Sequence, residues 1–211
     1  MSFNRCKILY LGTDPKFFVS PIEGAEIVHC PLIKTVVRSK EQVEAKYRQL
    51  EVSSHVIFTS KNAVSAFFFH LKTLNREVPK DKVWICIGPV TALHLKQEGI
   101  EPTFLSEVAT QEGVVALLKS IPCRSLFIPK SSLSRSLLFD WLDSKNIPYT
   151  AIDVYDTYTQ YPHLLPNLDE FALVVFTSPS TVTAFKEVFG KLPQKEKCYP
   201  IGPITEAALF C

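Results

Sequence analysis

The chain has 211 residues, 46% of them hydrophobic, enough for one large domain or two small ones with real cores. Lys and Arg number 23 against 21 Asp and Glu, and a net charge of +2 argues against a general nucleic-acid binder, which needs many phosphate contacts. No run reaches the roughly 18 uncharged apolar residues of a membrane span, and the opening MSFNRCKILYLGTD has too short an apolar stretch for a signal peptide, so a cytoplasmic chain is expected.

An opening strand, KILYLG (7–12), precedes a second, AEIVHC (25–30). Between them Pro15 and Pro21 bracket KFFVS and stunt any helix there. PLIKTVV (31–37) reads as an extended crossing, and a strand-helix block runs from about Lys40 to Ile152. Its first strand, HVIFTS, is a β-branched and aromatic run suited to burial on both faces. Ser60 stands at the N-cap of the next helix, where its hydroxyl can accept from the free N–H groups of the first turn. Ala63, Ala66 and Phe67 share one face of that helix. VWICIGPVTALHLKQEG continues as a strand, a Gly88-Pro89 turn and a helix ending near Gly99. IEPTFLS and SLFIP read as strands, TQEGVVALLKS and SLSRSLLFDWLDSKN as helices, and PYTAIDVYDTY as a further strand. Strand-helix units resume at Phe171, with Ser178 as a cap, Pro179 in the first helical position and Val182, Phe185 and Val188 on the inner face.

Two phrases occur twice. VIFTSKNAVSAFF begins at Val56 and VVFTSPSTVTAFK at Val174, 118 positions later; IGPVTALHL at Ile87 returns as IGPITEAAL at Ile201, 114 positions later. Matched phrases in the same order imply two similar domains, and alternating strands and helices imply parallel sheets covered on both faces. The simplest layout splits one domain around the other. Residues 1–31 and 159–211 form domain 1, residues 38–152 the inserted domain 2, and 32–37 with 153–158 are linker strands. Paired as a ladder, the linkers would make a hinge above an interdomain cleft, a usual place for a ligand.

The six cysteines form no CxxC, and neither they nor the five scattered histidines have metal-ligand spacing, so buried or incidental side chains are expected. Neither a P-loop nor a GxGxxG fingerprint is present.

The ordered set VIFTSKNAVSAFF, IGPVTALHLKQEGIEP, VATQEGVVALL, VYDTY, VVFTSPSTVTAF and IGPITEAAL resembles uroporphyrinogen-III synthase, over most of 53–158 and 172–209. The resemblance implies two flavodoxin-like parallel-sheet α/β domains joined by a two-stranded β-ladder. It implies a hydro-lyase of heme synthesis that cyclises hydroxymethylbilane, a linear polycarboxylate tetrapyrrole, to uroporphyrinogen III with inversion of ring D. It implies neither metal nor organic cofactor, and it makes the upstream hydroxymethylbilane synthase a candidate partner. Such catalysis rests on positioning, with modest acid assistance to the departing hydroxyl.

Substrate grips are expected on strand-to-helix turns at the carboxyl edge of each sheet, where free helix N–H groups favour anions. These are Thr59, Ser60 and Lys61; Gly88 and Thr91; Ser178; and Gly202 and Thr205. For each Ser or Thr a purely structural cap is as good a reading, and the Gly-Pro turns are mostly backbone geometry. In PKSSLSR, Lys130, Ser131 and Arg135 stand where the family often carries an Arg-Gly turn followed by a further Arg, and Lys130 would keep the charge without the bidentate fork. Tyr155 in VYDTY matches a family tyrosine that could protonate the leaving hydroxyl; Tyr158 and Tyr161 are its rivals, and packing is the plain alternative.

Two features depart from the family. Gly12-Thr13-Asp14-Pro15 stands where it commonly has Thr-Arg-Pro, and the repeat leaves residues 98–119 without a counterpart in the second copy. Domain 1 is therefore expected to lack its last strand and helix, with reduced stability or dimerisation in compensation. A cofactor-free two-lobed binding protein and an inactive, truncated relative of the synthase remain the alternative readings.

Overall fold

The β-branched and aromatic runs do form strands in the computed structural model of the chain, which describes residues 6–16 and 18–210. One unit takes Met1–Lys34 with Thr157–Cys211, the other Thr35–Asp156. The elements of the chain's first part are strands β1 (Lys7–Tyr10), β2 (Glu26–His29) and β3 (Ile33–Val37) and helices α1 (Lys40–Tyr47) and α2 (Gln49–Val52). Then come β4 (His55–Phe58), α3 (Lys61–Thr73), β5 (Val83–Cys86), α4 (Pro89–Gln97), β6 (Phe104–Leu105), α5 (Gln111–Leu118), β7 (Leu126–Ser131) and α6 (Leu137–Ser144). The long β8 (Tyr149–Thr159) leads back to β9 (Leu173–Phe176), α7 (Pro179–Phe189), β10 (Cys198–Pro200) and α8 (Pro203–Phe210).

In the unit Thr35–Asp156 the sheet order is β3-β8-β7-β4-β5-β6, and the strands from β8 to β6 pair in parallel. Strand β4 is buried along its whole length because helices cover both faces. Val56 and Phe58 point to one side, with Tyr47 of α1, Phe67 of α3 and Leu95 of α4. Ile57 points to the other, with Val114 of α5 and Leu138 of α6. Phe67, fully buried, stacks or edges onto Tyr47, Phe58, Trp84 and Phe127. A phenylalanine so placed contributes about 2–3 kcal/mol by burial alone.

The other unit has the order β10-β9-β1-β2, all parallel. Its α7 and α8 lay Val182, Phe185 and Leu209 against Leu9, Val174 and Phe176. The opposite face, Ile8, Tyr10 and Val175, is covered by Phe18 and Ile22 of the segment around the two prolines. No helix forms there among the described residues, as the prolines lead one to expect; Phe17 lies outside the described residues.

The repeated phrases align the two sheets: β9 with β4 and β10 with β5. The sheet neighbours then align β1 with β7 and β2 with β8. Counted along the chain, one sheet runs 2-1-3-4 and the five strands β4 to β8 of the other run 3-2-1-4-5 in sheet order from β8, β7, β4, β5 and β6 when numbered from β7 onward as the repeat aligns them, so the copies are circular permutations of one layout. Flavodoxin itself runs 2-1-3-4-5. The likeness of the longer unit to it lies in the layering.

Two elements are shorter than their sequence suggests. Of IEPTFLS only Phe104–Leu105 pairs, at the sheet edge. In SLSRSLLFDWLDSKN the helix begins only at Leu137, because the serines satisfy the backbone locally. Ser131 Oγ accepts from the Leu133 N–H and the Ser131 carbonyl from the Ser134 N–H. The helix is then capped from a distance: Gln111 accepts from the Leu138 N–H at 3.1 Å and donates to the Arg135 carbonyl at 3.0 Å.

Candidate functional site

In an open parallel sheet, ligands bind outside the carboxyl ends of the strands where the order reverses. In the unit Thr35–Asp156 that point lies between β4 and β7. The turn after β4 is Thr59-Ser60, and β7 ends on Lys130-Ser131. Ser60 has extended backbone and caps α3, its Oγ accepting from the Ala63 N–H at 3.1 Å. The same Oγ lies 3.0 Å from the Tyr155 hydroxyl. Ser131 and Asn62 complete the hydroxyl's partners, and the ring sits at 6% exposure in the core cluster of α1 and α3. Burial pushes the phenol above its ordinary value, against the smaller opposing effect of these hydrogen bonds. Tyr155 is therefore a neutral donor throughout the physiological range. Its rivals have other surroundings, Tyr158 being 52% and Tyr161 66% exposed.

Lys130 is engaged: its Nζ holds the Asp153 carboxylate and lies 3.2 Å from the Ser131 carbonyl. Arg135 forks onto Glu112 with two 2.8 Å bonds, and that guanidinium holds the Glu112 carboxyl down at about 2. Lys61 opens α3. Gly88 caps α4, where a Cβ would come within 2.7 Å of the Ala109 Cβ; the close approach, not its extended backbone, selects glycine. Thr91, in the first turn of α4, is 4% exposed. The matching positions of the other unit differ in detail. Ser178 caps α7 by accepting from the Thr181 N–H and meets Ser180 Oγ at 2.8 Å. Thr205 is 4% exposed, and a Cβ on Gly202 would meet open space. Asp14, whose charge departs from the family pattern, accepts from the Lys16 N–H through its side chain and from Tyr10 through its carbonyl.

The structure thus brings Ser60, Ser131 and Tyr155 together and adds Asn62, Asp153, Asp156 and Arg38, which sequence reasoning missed. Arg38 pairs with Asp156 through Nε at 3.0 Å and Nη2 at 2.9 Å. The acids flanking Tyr155 in DVYDTY, Asp153 and Asp156, were the available signal. No group of His, Cys, Asp or Glu among the described residues could hold a metal ion, and no described helix is long and apolar enough to cross a membrane.

Over 97% of the chain the fold matches a mutant uroporphyrinogen III synthase from the extremely thermophilic bacterium Thermus thermophilus, covering 88% of that chain at 17% identity with a TM-score of 0.68. The uroporphyrinogen-III synthetase of Helicobacter pylori matches over 97% of this chain and 87% of its own, at 20% identity and a TM-score of 0.58. At such identities the likeness is one of fold. The sequence itself matches the model of the uroporphyrinogen-III synthase HemD family over residues 22–210, and the chain belongs to that family.

Proposed function

We propose that this chain acts as a uroporphyrinogen-III synthase through the switch point of the unit Thr35–Asp156, with Tyr155 as the acid that starts the reaction. The observation that carries the role is the Tyr155 hydroxyl, kept neutral by burial and held 3.0 Å from Ser60. In this reading the phenol donates its proton to the departing hydroxyl of hydroxymethylbilane. The C–O bond breaks with its electron pair on oxygen, water leaves, and the pyrrole nitrogen supplies the electrons that form the azafulvenium. The substituted α-carbon of ring D attacks it to form a spiro intermediate. The bond from that carbon to the methylene on ring C then breaks, leaving an azafulvenium there, and the free α-carbon of ring D attacks this to close the macrocycle with the ring inverted. The proton released as the ring system regains aromaticity returns to the phenolate.

Most of the catalysis is positioning: an unguided azafulvene closes without inversion. Helix N-termini behind Ser60, Gly88, Ser178 and Gly202 are the proposed grips for the substrate carboxylates. The short life of the bilane favours a cytoplasmic enzyme working beside the hydroxymethylbilane synthase that supplies it.

The test is turnover of fresh hydroxymethylbilane with the type I and type III products resolved after oxidation. Wild type gives an excess of III, and Tyr155→Phe lowers kcat by on the order of a hundredfold. Activity within about twofold of wild type removes the acid role. Isomer I alone with tight bilane binding would make the chain a binding protein, and isomer I without binding an inactive relative.

A further inference from the structure

The strand that carries Tyr155 is irregular at that residue. Lys130 of β7 pairs with Asp153 of β8, yet the next residue, Ser131, pairs with Tyr155, so Val154 is an extra residue on β8. Such a bulge shifts the alternation of side chains by one. In an unbroken strand Tyr155 would share a face with Asp153 and oppose its neighbour Val154. Instead Ile152, Val154 and Tyr155 all pack into one cluster with Tyr47 and Phe67.

Named groups hold the kink from every side. The Val154 carbonyl accepts from the Arg38 backbone N–H at 3.0 Å and from His70 Nε2 at 3.4 Å. A carbonyl only accepts, so Nε2 carries the proton, and the fully buried imidazole leaves its Nδ1 without a partner. That is an unfavourable arrangement for packing alone. The Arg38 guanidinium forks onto Asp156 on one side of the bulge and lies 3.4 Å from Asp153 on the other, where Lys130 also holds Asp153.

We propose that Arg38, Lys130 and His70 are positioning residues for the cyclisation: by holding the Val154 bulge they set the face on which β8 presents Tyr155, and so keep its hydroxyl against Ser60. Lys130 then serves the tyrosine through Asp153 rather than meeting a substrate carboxylate. The proposal rests on the reading of Tyr155 as the acid, and its test separates the two.

Protein labelled with ζ-13C tyrosine reports each phenol separately, and the Tyr155 resonance is the one lost in Tyr155→Phe. Arg38→Met removes the fork at a partly exposed site; His70→Phe removes the donor and keeps a ring. In both, the Tyr155 resonance moves, and kcat falls on the order of tenfold to a hundredfold with KM within about twofold. Arg38→Lys, which keeps the charge without the fork, falls between. Where His70→Phe does not fold, Arg38→Met and the isosteric Asp156→Asn carry the same expectation. A resonance and kcat unchanged in these folded variants overturn the proposal. A resonance that moves while Tyr155→Phe is fully active places the failure in the acid role, and the catalytic part of the proposal falls with it.

Discussion

Ser60 has two jobs that substitution can separate. Its Oγ caps α3 through the Ala63 N–H and also meets the Tyr155 hydroxyl. Alanine at an N-cap costs about 1 kcal/mol, glycine only a few tenths. The tyrosine hydroxyl keeps Ser131 and Asn62 when Ser60 is gone, so the lost contact is one ordinary hydrogen bond, about 1 kcal/mol. Ser60→Ala should therefore cost about 2 kcal/mol and Ser60→Gly about 1.3 kcal/mol. In a Tyr155→Phe background Ser60→Gly should cost only the cap, giving a coupling of about 1 kcal/mol in the double-mutant cycle. The assay is urea unfolding read by tryptophan fluorescence. Both tryptophans of the chain, Trp84 and Trp141, lie in the unit Thr35–Asp156, so the signal reports the unit in which the bond is made. A coupling below about 0.3 kcal/mol at unchanged m-value would refute the claim that this contact is a stabilising hydrogen bond.

The duplicated Gly-Pro turns offer a second comparison: Gly88→Ala drives a Cβ to within 2.7 Å of Ala109 and should cost about 1–3 kcal/mol, whereas Gly202→Ala meets open space and should be near neutral in thermal melts. The Glu112–Arg135 pair sets an acid limit. Glu112 is held at about 2 in the folded chain, so its contribution is present above its ordinary value and is lost as pH falls towards 2. Both side chains are more than a third exposed, which limits the effect to about 0.5 kcal/mol. Glu112→Gln should accordingly lower stability slightly at neutral pH and not at pH 2; an equal loss at both values would exclude the ion pair as its cause.

The two units and their helix starts were legible because each rests on local chemistry repeated in the chain. A β-branched run followed by Ser60 or Ser178 codes for strand, cap and helix within a few neighbouring residues. The start of α6 was not legible, since its cap, Gln111, comes from another helix 27 residues earlier. Tyr155 could be named from VYDTY, but not the direction of its side chain. That direction depends on the Val154 bulge, and the groups holding it, Arg38 and His70, lie 116 and 84 positions away in sequence. Lys130 reads as an exposed cation at a helix start until Asp153 is seen beside it. Nothing local announces that contact.

The split arrangement has a consequence for how the chain is made. Thr35–Asp156 is contiguous and can fold as soon as it leaves the ribosome. Strand β1 sits between β2 and β9 and must find Leu173 from Ile8, so a segment made before the inserted unit is sheltered only after it. Stalled nascent chains in which Thr159 has just cleared the exit tunnel should resist protease across the inserted unit while strand β1 is still cut. Ile8, Leu9 and Leu11, all fully buried at the end, spend the interval exposed, a window in which chaperones have an apolar strand to hold.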